Sequence, residues 1–110
     1  MLLLISKYFV PKGYVGITIF PFVFLKNKQL KNNKCLINHE KIHLKQQLEL
    51  LIIPFFIWYL IDFFIQYYRF KNKNAAYRNI VFEKEAYANE QNLNYLTERK
   101  MYNFLKYINK

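Results

Sequence analysis

The sequence predicts an α+β fold in a single domain over residues 1–110. It should hold a small antiparallel N-terminal sheet packed on a helix that carries a histidine pair, a backing helix, and a C-terminal helix that carries glutamates. Three observations lead there. β-branched and aromatic runs fill residues 1–25. Helical periodicity takes over from about Cys35. Only two glycines and three prolines punctuate 110 residues, which favours long elements over many turns.

The strand signals are residues 14–20 (YVGITIF) and 22–25 (FVFL), preceded by a turn at Pro11-Lys12-Gly13. Pro21 between them confines pairing to an edge or a break. The polar stretch KNKQLKNNK reads as a loop. From Cys35 to Ile53 a wheel gathers Leu36, Leu44, Leu48, Leu50 and Leu51 on a broad face with His39, and Asn38, Lys41, Lys45 and Glu49 opposite. Pro54 should end or kink this helix. Residues 55–68 continue apolar and helical, interrupted by Asp62. RFKNKNAAYRN reads as a basic linker, and a last helical region runs from Val81 to Asn109, with room for one break.

The formal charge of +10, seventeen Lys and Arg against seven acids, favours anionic partners. The basic residues are dispersed, apart from the run at Lys26–Lys34, and no nucleic-acid recognition motif is present, so nucleic acid is an unfavoured partner. Cys35 is the only cysteine, which excludes an internal disulfide and suits a reducing compartment. The apolar start MLLLISKYFVPKG lacks a basic leading region and a small-residue cleavage site, so it does not read as a signal peptide. The expected location is the cytoplasm, with scope for membrane association.

The chemistry concentrates at residues 39–43, His-Glu-Lys-Ile-His, which contain both histidines of the chain. On a helix, positions i and i+4 stand on one face, about 6 Å apart. Two imidazoles so placed can each reach one Zn2+ ion at about 2.0–2.1 Å. Glu40 lies roughly 60° from His43 on the wheel, close enough to a bound water to take its proton without becoming a ligand. Lys41 projects toward the charged face. The motif is short, but its confinement of both histidines sharpens it.

A catalytic zinc needs a third protein ligand and an open position. No third histidine exists, which excludes the HExxHxxGxxH class. Cys35 shares the stripe at i−4 from His39 but lies about 12 Å along the axis from His43, so it reads as a packed thiol. A carboxylate remains. In VFEKEAYAN the apolar stripe of Phe82, Ala86, Leu93 and Leu96 contains Glu85 and Asn89, while Glu83 and Glu90 flank it. A carboxylate on a core-facing stripe is costly to bury unless it is paired or binds metal. That argument prefers Glu85 to Glu83, with Asn89 one turn on as its partner.

HEKIH followed about forty residues later by FEKEAYANE resembles the gluzincin metallopeptidases. The short chain resembles the minimal members of that family. The resemblance implies a peptide-bond hydrolase of peptide or protein substrates, with His39, His43 and Glu85 on zinc and Glu40 as general base. It also implies an edge strand that pairs with substrate backbone, for which residues 14–20 are the candidate. Tyr77, Arg78 and Tyr87 are the candidates for stabilising the oxyanion.

Leu50–Ile61 is an unbroken apolar run, extended past Asp62 by Phe63-Phe64-Ile65. It falls short of the roughly 20 residues a membrane span needs and contains Pro54 and Asp62. A single crossing would also separate His43 from Glu85. A buried backing helix is therefore expected, with peripheral attachment to an anionic membrane surface as an additional role. The competing functional reading is a non-enzymatic basic membrane-surface protein with a structural zinc site or none.

Overall fold

The computed structural model describes residues 1–108. Its order is β1 (Leu2–Ile5), β2 (Gly16–Ile19), β3 (Phe22–Leu25), a 3-10 turn (Lys28–Asn32), α1 (Lys34–Glu49), α2 (Ile53–Phe70), α3 (Lys73–Asn79), α4 (Val81–Asn89), α5 (Tyr95–Glu98) and a second 3-10 turn (Asn103–Tyr107). The fold is α+β, as the sequence predicts.

The sheet is mixed rather than antiparallel, in the order β1-β3-β2. β2 and β3 form the expected antiparallel hairpin about Phe20-Pro21, pairing Thr18 with Val23. β1 adds to the far side of β3 in parallel, with Leu3 opposite Val23. A four-residue apolar run carries no signal for strand direction. The long connection from Ser6 to Val15 carries the chain across to the opposite edge.

Asn33 starts α1 by accepting the Leu36 amide at 3.1 Å. α1 ends four residues before the expected Ile53. Leu51 and Ile52 then take positive φ of 62° and 48° to turn the chain, and Pro54 sits in the first turn of α2, where its missing N–H leaves no bond unmade. The two helix axes meet at 114°. α1 is not the simple amphipathic helix of the wheel. Leu48 is exposed, as is the linker residue Leu51, whereas Asn38, His39, Glu40, His43, Gln46 and Gln47 are buried. Its inner face is polar because it is committed to a hydrogen-bonded site.

Two further boundaries differ from expectation. The presumed linker holds α3, capped by Asn72 on the Ala75 amide at 2.9 Å, with Ala76 fully buried. The Ala-Ala pair supplies helix propensity that the surrounding basic residues mask. The C-terminal region is three short elements rather than one helix. Its expected end at Asn109 lies outside the described residues.

Three apolar clusters enclose the centre. Phe55, Ile80, Val81, Phe82 and Phe104 join α2 to α4. Val23, Leu25 and Leu44 join the sheet to α1. Ile42, Ala86 and Tyr95 lie between α1 and α4. α4 is thereby buried around most of its circumference, with Val81, Phe82, Glu83, Glu85 and Ala86 all inside. No single helix is long and apolar enough to cross a membrane.

Candidate metal centre

α1 presents His39 and His43 one turn apart, and the first turn of α4 brings Glu83 between them. Glu83 Oε1 lies 3.1 Å from His39 Nε2 and 3.1 Å from His43 Nε2. The two Nε2 atoms are 3.2 Å apart. Ligands about 2.0–2.1 Å from a tetrahedral zinc stand about 3.3–3.4 Å from one another, so this triangle is close to one face of such a site. All three residues are buried.

The surroundings fix which atoms face inward. Gln46 Nε2 donates to Phe82 O at 3.1 Å and to Glu85 Oε1 at 2.8 Å. Its Oε1 is thereby turned toward His43 Nδ1, 2.8 Å away. His43 must donate from Nδ1, so in its neutral form the Nε2 lone pair points at the triangle. On His39, Nδ1 lies 3.7 Å from Glu90 Oε1, within ion-pair range. The Tyr87 ring edges against His39 at 4.6 Å and carries the Arg78 guanidinium on its face at 4.4 Å. Glu83 Oε2 accepts from Tyr59 Oη at 2.6 Å, leaving Oε1 for the centre. Lone pairs from two imidazoles and a carboxylate therefore converge, and only a cation relieves their repulsion. The residues present fit a metal ion.

A proton meets the same need. Burial alone would lower the His43 pKa, but the charge and hydrogen bond of Glu83, with smaller help from Glu40 and Gln46, raise it to about 9. Burial would raise the Glu83 pKa, but His43 and His39 hold its carboxyl far below the usual range. The Tyr59 hydroxyl, buried and facing Glu83, stays protonated well beyond its ordinary value.

Glu40 lies beside the triangle and outside it. Its carboxylate accepts a hydrogen bond from the Thr18 hydroxyl of β2. A Cβ at Gly16 would meet Glu40 Oε1 at 3.3 Å, a tight contact, so glycine eases the close approach of the strand to the carboxylate. Gln47, one turn along α1 from His43, donates from Nε2 to Thr18 O at 2.7 Å and accepts the Phe20 amide at 2.6 Å. The edge of β2 turned away from β3 thus faces α1, and Gln47 occupies it from Thr18 onward.

Two clefts meet at Glu40. One, of about 350 Å³, is mainly apolar and is lined by His43, Glu83, Phe55, Phe56, Leu60 and Phe63 among others. The other, of about 630 Å³, holds His39, Lys12, Lys73, Arg78 and Glu90. Gly16, Tyr14, Glu40 and Tyr77 line both.

The structure brings His39, His43 and Glu40 together as the spacing requires, and it places Glu83 rather than the expected Glu85 beside the histidine pair. Glu85 is not at the centre. Its carboxylate accepts from Arg99 Nε at 2.6 Å, from Tyr95 Oη at 2.6 Å and from Gln46. Burial opposes its ionisation, but these bonds hold its carboxyl below the usual range. The same Arg99 grips Glu49 with both terminal nitrogens, at 2.7 and 3.0 Å. Glu49 is therefore not a solvent-facing acid. Asn89 donates to Glu85 O, the main-chain oxygen, at 2.8 Å, and Cys35 is partly buried beside the wider cleft. Gln46, Tyr59, Thr18 and Arg99 have roles that no motif announced. Comparison with protein-family models, with curated proteins and with solved structures finds no match.

Proposed function

We propose that this chain is a zinc-dependent metallopeptidase that hydrolyses peptide bonds in peptide or protein substrates. The observation that carries the reading is the pairing of a three-atom ligand face with Glu40, a buried carboxylate beside that face but not part of it. His39, His43 and Glu83 would hold a zinc ion, which when bound would supply Lewis acidity and lower the pKa of the attacking water. Glu40 takes the proton from the attacking water and returns it to the leaving amine. Thr18 holds the Glu40 carboxylate in place for both transfers. Gln46 keeps the His43 imidazole in register, and Tyr59 holds Glu83 to a single facing oxygen.

Substrate backbone lies along β2 at its Gly16 end, since Gln47 already occupies Thr18 O and the Phe20 amide. Of the three oxyanion candidates, Tyr77 is favoured because it lines both clefts beside Glu40. Tyr87 is held against His39, and Arg78 lies on Tyr87. A purely structural zinc would call for a fourth protein ligand, and among the described residues the cluster has three.

Metal analysis and one variant test the reading together. Purified protein should carry close to one zinc per chain. Glu40→Gln should keep that zinc while its hydrolysis of an unstructured protein falls by about 10²–10⁴-fold. Zinc-free wild type after reconstitution, or a Glu40→Gln enzyme as fast as wild type, would overturn it.

A further inference from the structure

α2 has an outer face that the described residues leave uncovered. Ile53, Ile57, Leu60, Ile61, Phe64 and Tyr68 are each more than half exposed. At 100° per residue they fall in a sector of roughly 100°, over a length of about 23 Å. No charged side chain falls within it. The polar groups of the helix are turned inward: Asp62 Oδ2 accepts the Val81 amide at 2.7 Å, Gln66 donates to Asp62 Oδ1 at 3.1 Å, and Tyr59 donates to Glu83. A continuous apolar stripe of this extent on a small protein marks a contact surface.

Charge selects its occupant. The chain carries +10, and Arg69, Lys71 and Lys73 are exposed where α2 ends. A second copy would set one strongly cationic body against another. A neutral apolar partner would leave the terminal cations unused. An anionic bilayer uses both features, with the apolar face sunk about 5–10 Å into the boundary of headgroups and acyl chains and the cations at phosphate level. The inward bonds of α2 to α4 keep it in the membrane plane rather than across it.

We infer that the protein docks on anionic membranes through α2 lying flat in the interface. Leu60 belongs both to this stripe and to the apolar cleft beside His43 and Glu83. Docking therefore brings the mouth of that cleft to the lipid boundary. On the hydrolytic reading above, the substrates are polypeptide segments at a membrane surface.

The test uses the whole chain and vesicles, and it needs no hydrolysis. Wild type should sediment with phosphatidylglycerol–phosphatidylcholine vesicles and bind pure phosphatidylcholine at least about tenfold more weakly. The Ile57→Glu/Phe64→Glu double variant should lose at least about tenfold in affinity while keeping its zinc and its circular dichroism spectrum. Arg69→Glu/Lys71→Glu, which leaves the stripe intact, should weaken binding to the anionic vesicles alone. Failure of wild type to bind anionic vesicles, or unchanged binding by the stripe variant, overturns the inference. So does a lipid-free dimer that the stripe variant splits, since the occupant would then be a second copy. Vesicle binding without hydrolysis would overturn the enzyme reading and leave the docking intact.

Discussion

The Gln46 amide donates to the Glu85 carboxylate across 2.8 Å, and that bond sets which nitrogen of His43 faces Glu83. Glu85, itself held by Arg99, leaves Gln46 only its oxygen to offer His43 Nδ1. A residue two positions from Glu83 thus acts on the opposite histidine through an amide.

The two glutamates should separate cleanly in a competitive zinc titration. Glu83→Ala removes a ligand and should abolish stoichiometric binding. Gln46→Leu leaves three ligands but frees the His43 tautomer, and should cost about 10–100-fold in affinity. Glu85→Ala should act first on stability. A variant at Glu85 that loses more zinc affinity than one at Glu83 would discredit the assigned triangle.

Arg99 is nearly inaccessible and bridges two carboxylates from α1 and α4. Arg99→Met strands both charges in a buried setting and should cost about 3–5 kcal/mol, read as a lower midpoint in urea. The triple variant Arg99→Met/Glu49→Leu/Glu85→Leu should recover much of that loss, because no unpaired charge remains. If Arg99→Met alone melts like wild type, the clamp contributes nothing.

The metal-free protein should show a narrow pH optimum for stability. Glu83 ionises in the fold below its ordinary 4.5, so its contribution is present above 4.5 and is lost as the pH falls toward its folded value. His43 titrates in the fold at about 9 instead of 6.5, so its contribution is complete below 6.5 and is lost as the pH rises through 9. The pair therefore favours the fold most between 4.5 and 6.5. Zinc must displace the His43 proton, so binding near neutrality should release about one proton. Titration calorimetry in buffers of different ionisation enthalpy reads this directly, and a binding enthalpy independent of buffer would contradict it.

Gly16→Val tests the spacing between β2 and the proposed base. The new side chain would press on Glu40 Oε1 and on the Leu25 side chain. Zinc content should survive, since no ligand moves, while turnover falls by about tenfold or more through displacement of the base. Loss of zinc with turnover would mean that β2 positions α1 as a whole.

The placement of His39, Glu40 and His43 was legible because i, i+4 geometry is local: one helix suffices to bring them together. The glutamate that joins them was not. Glu85 was correctly read as buried, and a buried carboxylate does need a partner. That partner is Arg99, fourteen residues away beyond the ends of α4 and α5, and no periodicity connects them. The wheel also drew its stripe partly from Leu93 and Leu96, which lie past the end of α4. Without them the stripe no longer separates Glu83 from Glu85, and both prove buried. The hairpin was readable from its β-branched runs, whereas the parallel placement of β1 depends on a long connection that carries no pattern. α2 was recognised as a backing helix, but its outer face is exposed rather than covered.

Asp62 looked in the sequence like a blemish in an apolar run, and in the fold its carboxylate receives the amide that opens α4. One turn earlier, Tyr59 reaches Glu83 itself. α2 is therefore stitched to the start of α4 at two points, so whatever displaces α2 carries Glu83 away from the histidine pair with it.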